Sequence, residues 1–147
     1  MDFFLTNEQN HLLNSLSSTI HGFDDKYWLD CDNTSKYPIE FVNTIAEGGW
    51  LGIAMPIEYG GSNLGVTEAA LMMMLISEKG GMTAASSIHM NIFGPSSIVK
   101  FANEDQKKSW LPNIINGKTK MCFTVTEPDT GLDTTRLKTK AVKKNII

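Results

Sequence analysis

Few residues of this 147-residue sequence have the types and spacing that catalysis or metal binding requires. The three histidines, His11, His21 and His89, do not have the spacing of a metal-binding motif. Cys31 and Cys122 lie far apart and form no C-x-x-C pair, which argues against a zinc site or a disulfide framework. Cys122 is predicted to be a small buried hydrophobe, because no histidine lies near it in sequence to activate a thiolate.

The segment with the clearest chemical pattern is M-C-F-T-V-T, residues 121–126. Its alternation of β-branched and aromatic residues predicts a strand, and E-P-D-T-G over 127–131 predicts a turn after it. Residues 136–142 alternate again, with three cations on one face, which is typical of a solvated strand face. On this pattern alone, residues 121–126 form an ordinary structural strand.

The elements that must position this segment are predicted helices. T-N-E-Q over 6–9 is a capping box that opens a helix from about 7 to 20, and Pro38 suits the start of a second helix that ends at Gly48. Further helices are predicted over 67–79, 84–93, 95–101 and 103–110, with another turn after Pro112. The sequence predicts loops over 22–33, which is rich in aspartate, and over 50–65.

The helix over 67–79 is apolar nearly all round, which predicts a central place in a helical core. Met72, Met73 and Met74 are predicted to fill that core rather than to form a binding surface. Gly60 and Gly61 are predicted to supply positive φ in a loop rather than to cradle phosphate.

Composition excludes several classes of protein. With 41% hydrophobic and 20% charged residues the chain is predicted to be globular, and its net charge of −3 argues against a nucleic-acid partner. The sequence contains no apolar run of the roughly 20 residues that a transmembrane helix needs. An acidic residue near the start and the unpaired cysteines predict a cytoplasmic protein without a signal peptide.

Four motifs then carry a resemblance that covers essentially the whole chain. C-F-T-V-T-E-P-D-T-G-L-D over 122–133, followed by L-K-T over 137–139, resembles the flavin-contacting signature of the acyl-CoA dehydrogenase family. M-P-I-E-Y-G-G over 55–61, F-A-N-E-D-Q-K over 101–107 and N-G over 116–117 match the family in order.

The resemblance implies a mainly α fold: an orthogonal helical bundle of acyl-CoA dehydrogenase type over 1–117, then the first strands of an incomplete β-barrel domain over 118–147. Two short strands do not make a stable sheet alone. It also implies FAD as cofactor, α,β-dehydrogenation of acyl-CoA thioesters, an electron-transfer flavoprotein as partner, and a dimer or tetramer. Because the family's catalytic glutamate lies in a C-terminal domain, the chain is expected to contain no catalytic base and to be inactive alone.

The resemblance also implies binding residues. The main chain of Phe123, Thr124, Val125 and Thr126 and the Thr126 hydroxyl would bind the pyrimidine end of the flavin, with Val125 packed on the ring. Ala85, Ser86, His89 and Phe93 would border the acyl pocket. Leu132 replaces the family's substrate-contacting serine and cannot hydrogen-bond, so that contact is lost or the substrate is a divergent one. Glu127 matches a structural glutamate and not the base.

Three alternatives stay open on the sequence. His89 also fits an ordinary half-buried polar side chain. Acyl-CoA oxidases and flavin monooxygenases share the strand signature, so the electron acceptor is not fixed. A non-enzymatic helical remnant or partner-binding module would keep the helices and leave residues 118–147 loosely ordered.

Overall fold

A computed structural model of the chain describes residues 4–143, and these residues are mainly helical. The α-helices in chain order are α1 (Asn7–Thr19), α2 (Asp25–Thr34), α3 (Ile39–Glu47), α4 (Val66–Phe93), α5 (Ser96–Phe101) and α6 (Glu104–Ile115). Short 3₁₀ turns lie at Trp50–Gly52, Ile57–Tyr59 and Thr134–Arg136. No helix in the described range is long and apolar enough to cross a membrane. The predicted mainly α fold is confirmed.

Helix α4 runs through the middle of the main core, as its apolar sequence predicts. Ala69, Met72 and Ile76 are fully buried, and α1, α2 and α3 all pack against α4. Met73 packs at the edge of this core, whereas the Met74 side chain is 68% exposed. The prediction that all three methionines fill the core is therefore wrong for Met74, because a helix in contact with three neighbours still leaves one stripe uncovered.

A kink divides α4 at the predicted break. Gly81 has φ +61° and ψ −152°, a conformation that a residue with a side chain rarely adopts. The two predicted helices over 67–79 and 84–93 are the two segments on either side of it. Leu71 in the first segment and Phe93 at the end of the second line the same open apolar groove of about 900 Å³.

The loop predicted over 22–33 is wrong, since most of it belongs to α2. The Asp24 side chain accepts the Tyr27 backbone N–H over 3.0 Å and so caps the helix. Trp28 and Cys31 are buried on one face, and the Trp28 ring meets the Phe41 ring edge-on at 4.9 Å. The aspartates therefore cap the helix or lie on its exposed side.

Both predicted capping boxes form, at Thr6–Gln9 and at Asn103–Gln106. Helix α6 is longer than predicted, because it continues through Pro112 to Ile115. Proline removes one helical hydrogen bond, but the last turn buries Leu111, Ile114 and Ile115. Packing therefore holds the final turn in place.

The two predicted strands do not form within residues 4–143. Residues 121–126 and 137–143 have no regular secondary structure, and one antiparallel bridge joins Glu127 to Thr130. A strand needs a neighbour for its backbone hydrogen bonds, and these two short segments do not supply one to each other. The β domain predicted over 118–147 stays a prediction, and its residues 144–147 lie outside the described part.

Candidate functional site

The helical core holds the chain just before the predicted cofactor-binding segment. The side chain of Asn91, in α4, is 8% exposed. Its Nδ2 donates to the carbonyls of Ile114 (3.2 Å) and Thr119 (2.8 Å), and its Oδ1 accepts the Met121 backbone N–H (2.8 Å). Asn91 is not among the site residues predicted from the sequence. The signal was a lone amide within I-H-M-N-I-F, residues 88–93, an otherwise largely apolar stretch.

Beyond Met121 the backbone offers unused donors. The N–H groups of Phe123, Thr124, Val125 and Thr126 donate to no acceptor among residues 4–143. Both threonine side chains are exposed, while Val125 is half-buried. A run of free N–H groups with exposed hydroxyls beside it suits an acceptor-rich ligand edge, such as the pyrimidine end of a flavin. The residues present therefore fit the predicted cofactor.

One predicted substrate residue lies beside this segment. Phe93 and Phe123 line a common cavity of about 380 Å³, together with Met90, Gly94, Ser96 and Ser97. The Phe123 ring is 73% exposed and Phe93 is 40% exposed, so both aromatic side chains present apolar surface at this cavity. The helical core and the extended segment thus meet at an apolar site with two hydroxyl groups on its wall.

The other predicted substrate residues do not line that cavity. Ala85 is buried at 8% exposure, and His89 is half-buried with Nδ1 3.1 Å from the Ser86 carbonyl. Ser86 lines a separate shallow pocket with Tyr37. Leu132 is fully exposed. The five residues predicted to contact substrate are therefore not gathered into one site within the described part of the chain.

The carboxylate of Glu127 accepts hydrogen bonds from other residues of the chain. Its carboxylate accepts the backbone N–H groups of Lys138 (2.9 Å) and Thr139 (2.7 Å) and also the Thr139 hydroxyl. These donors, the hydroxyl first, lower the pKa of Glu127 below its usual range. An ionised carboxylate with this many donors suits a structural link rather than a proton acceptor.

Two further contacts surround the segment. The Lys120 ammonium lies 3.8 Å from the centroid of the Tyr37 ring, and the Tyr37 hydroxyl donates to the Ser87 carbonyl over 2.9 Å. Cys122 is exposed, so the prediction that it is buried is wrong. Met121 and Val125, on the opposite face of the extended segment, are partly covered instead.

Comparison with known proteins identifies the family to which this chain belongs. The model of the family described as "Acyl-CoA dehydrogenase, N-terminal domain" matches residues 6–118. The chain belongs to the acyl-CoA dehydrogenase family.

Individual relatives match most of the chain, and the alignments with FadE12 and acryloyl-CoA reductase (NADH) extend beyond residue 118. Acyl-CoA dehydrogenase FadE12 of Mycobacterium tuberculosis is 32% identical over 139 residues, which is 95% of this chain and 36% of that protein. Isovaleryl-CoA dehydrogenase of Bos taurus is 38% identical over 117 residues, or 79% of this chain and 27% of that protein. Acryloyl-CoA reductase (NADH) of Anaerotignum propionicum is 32% identical, covering 97% of this chain and 36% of that protein.

A solved structure shares the fold. It is described as "Electron transferring flavoprotein of Acidaminococcus fermentans: Towards a mechanism of flavin-based electron bifurcation", with a TM-score of 0.81 and 26% identity. The similarity covers 92% of this chain and 36% of that one. The chain thus spans about a third of the length of FadE12, of the acryloyl-CoA reductase and of this solved structure.

Two motifs of the acyl-CoA dehydrogenase pattern are in direct contact in this chain. The buried Tyr59, of M-P-I-E-Y-G-G, donates its hydroxyl to Glu104 of F-A-N-E-D-Q-K over 2.7 Å. The Lys107 ammonium bonds the other oxygen of Glu104 over 2.9 Å. Lys107 first, and then Tyr59, lowers the pKa of Glu104, while the Glu104 acceptor raises the pKa of Tyr59. These motifs link the 55–61 loop to α6.

Proposed function

We propose that this chain is the N-terminal part of an FAD-dependent acyl-CoA dehydrogenase that removes two hydrogens from the Cα–Cβ bond of an acyl-CoA thioester. Its electrons would pass to an electron-transfer flavoprotein, and the complete enzyme would be a dimer or tetramer of the cytoplasm. The observation that carries the proposal is the run of N–H donors over 123–126 that have no acceptor among the described residues, next to the Phe93–Phe123 cavity.

In this reaction the chain would bind the flavin and the acyl chain, and would polarise the flavin ring system. FAD, when bound, supplies the acceptor for the hydride that leaves Cβ. The N–H groups of residues 123–126 and the Thr126 hydroxyl would donate to the pyrimidine end of the ring system, where negative charge accumulates on reduction. Val125 would pack against the ring, and Phe93 would border the acyl chain. Ala85, Ser86, His89 and Leu132 stay candidates for more distant substrate contacts.

No residue of this chain is proposed as the base. Glu127 is already bonded to Lys138 and Thr139, and its lowered pKa makes it a poor proton acceptor near neutral pH. We therefore propose that the 147 residues alone do not oxidise acyl-CoA. Turnover of any acyl-CoA by the purified chain with FAD and a dye acceptor would contradict this.

A chimera tests the positive part of the proposal. Residues 4–143 would replace the aligned part of the M. tuberculosis relative FadE12, and we expect the product to retain FAD and to reduce a dye with acyl-CoA. Thr126→Val should then lower kcat by about 100-fold, the usual effect of removing one donor to developing negative charge. Thr134→Val, at an exposed threonine outside residues 123–126, is the matched control and should leave kcat unchanged. A chimera that folds but retains no FAD would refute the proposed role.

A second candidate is a non-enzymatic helical module that binds a partner. The lack of strand pairing over 121–126 and 137–143 favours it. Amide exchange of the full chain separates the two functions. The module requires fast exchange throughout 121–142, whereas the flavoenzyme fragment requires protection at residues 121, 138 and 139, where the backbone N–H groups are bonded.

A further inference from the structure

The carboxamide of Asn91 bonds the backbone on both sides of a single residue. Its N–H donates to the carbonyl of Thr119, and its oxygen accepts the N–H of Met121, so Lys120 lies between the two bonds. In a parallel sheet, one residue of a neighbouring strand bonds the same pair of groups, the carbonyl before and the N–H after the residue opposite it. The Asn91 side chain therefore occupies the place of one residue of a neighbouring strand.

Asn91 makes three of the four hydrogen bonds that its side chain can form, and both of its N–H donors are used. A carboxamide has two N–H donors, and these go to Ile114 in α6 and to Thr119. The side-chain oxygen accepts the Met121 backbone N–H. Because the group is buried, losing these partners leaves polar atoms unsatisfied on both sides of the contact. The contact thus joins α4, α6 and the segment that follows them.

Because the backbone is fixed at residues 119 and 121, the side of the extended segment on which each following side chain lies is also fixed. Side chains of an extended segment alternate, so Met121, Phe123 and Val125 share one face. Met121 packs at Gly94 and Phe123 lines the cavity with Phe93. Cys122, Thr124 and Thr126, on the other face, are exposed. Met121 and Val125 are partly covered, as a single register that begins at the Asn91 contact requires, and Phe123, although 73% exposed, lies on the same face at the cavity.

A second contact holds the residue between the two bonds. The Lys120 ammonium lies over the Tyr37 ring, and Tyr37 is bonded through its hydroxyl to Ser87 of α4. Both the backbone and the side chain of this segment are therefore attached to the helical core. This ordering needs no strand partner among residues 4–143.

We propose that Asn91 is a positioning residue that substitutes for a strand neighbour and sets the register in which residues 123–126 leave the helical core. The inference rests on the proposed flavin-binding role of those residues, and it adds the residue on which their placement depends. It assigns no contact between Asn91 and the cofactor.

Residue-resolved amide exchange of the full chain tests the register. In Asn91→Leu, which keeps the number and branching of the side-chain heavy atoms, the Met121 amide should exchange at least about 10-fold faster relative to the protected amides of α4. Ile88→Ala is the matched control, since it removes a buried side chain of the same helix and should speed exchange uniformly. An unchanged ratio in Asn91→Leu would overturn the proposal.

A measurement on the unaltered chain covers the case in which Asn91→Leu does not fold. Nuclear Overhauser contacts from the Asn91 side-chain amide protons to Lys120 and Met121 backbone protons are expected, and their absence overturns the proposal. FAD retention by the FadE12 chimera distinguishes failure of the register from failure of the proposed function. We expect the chimera to retain FAD, and Asn91→Leu in the chimera to need at least about 10-fold more FAD for the same occupancy. If the chimera without this substitution retains no FAD, the proposed function fails, while the exchange ratio of the unaltered chain and Asn91→Leu still decides the register.

Discussion

Glu127 and Thr139 are joined by two hydrogen bonds to the same carboxylate oxygen, one from the backbone N–H over 2.7 Å and one from the hydroxyl. These residues belong to the two halves of the sequence signature, T-E-P and L-K-T. A further hydrogen bond crosses the loop between them, since the Thr130 hydroxyl donates to the Arg136 carbonyl over 3.3 Å. Residues 127–139 therefore form a closed loop although no strand pairs within it.

Replacing Glu127 should open this loop locally. In Glu127→Ala we expect the Lys138 and Thr139 amides to exchange about 10-fold faster or more, with little change in Tm, because the loop lies outside the core. Asp129→Ala is the control, since it removes only the exposed ion pair to Lys138, and such pairs contribute about 0–1 kcal/mol. Equal effects of the two substitutions would contradict the assigned role of Glu127.

The same loop should respond to acid. The folded-state pKa of Glu127 is lowered, so its bonds stabilise the loop above the unfolded-state pKa, about 4.3, and weaken as pH falls through the folded-state value. We expect the Thr139 hydroxyl and amide resonances to be constant from pH 7 to about 5 and to change below about 4. A transition centred above pH 5 would show that the carboxylate is not held in its charged form.

Gly61 should not tolerate a side chain. A Cβ at this position would lie 2.2 Å from the Met55 carbonyl oxygen, which is backbone and cannot move aside cheaply. Gly61→Ala should lower the free energy of unfolding by about 1–3 kcal/mol, measured with urea. Gly22→Ala is the matched control, because a Cβ there meets nothing within 4 Å. Its effect should be within about 1 kcal/mol.

The Tyr59 hydroxyl should contribute measurable stability. Tyr59→Phe keeps the buried ring and removes the bond to Glu104, which should cost about 1–2 kcal/mol in urea unfolding. Tyr37→Phe is the control, since it removes a hydroxyl from a half-exposed ring bonded to a neutral carbonyl. We expect its cost to be below about 1 kcal/mol. A larger loss for Tyr37→Phe than for Tyr59→Phe would reject the ranking.

The apolar groove should make the isolated chain self-associate. Leu5, Leu13, Leu71 and Met74 line it, and Met74 is 68% exposed. Met74→Glu should weaken association by about 10-fold or more in light scattering at high protein concentration, because a charge at the contact must be desolvated. Met82→Glu, at a methionine that is 79% exposed and lies outside the groove, should change little. A monodisperse unaltered chain would contradict this expectation.

Local patterns allowed most helices to be predicted. The capping residues Thr6 and Asn103 mark the starts of α1 and α6, because the cap and its partner lie three residues apart. The prediction missed α2, since its aspartates suggest a loop and only the burial of Trp28 against Phe41 selects the helix. Asn91 was missed for the same reason. Its partners lie 23 to 30 residues away, and no local pattern reports them.

The bonds of Asn91 also bear on where a helical module of this kind can be cut or joined during evolution. The family model ends at residue 118, and two of the three partners of Asn91, Thr119 and Met121, lie beyond it. After a recombination junction at Gly117, an incoming segment that does not bring its backbone along the same path would leave a buried carboxamide with two unmet bonds, at a cost of about 1–3 kcal/mol per group. A crossover after Met121 would transfer the helices with their last hydrogen bonds intact. The unit of exchange therefore extends a few residues past the final helix.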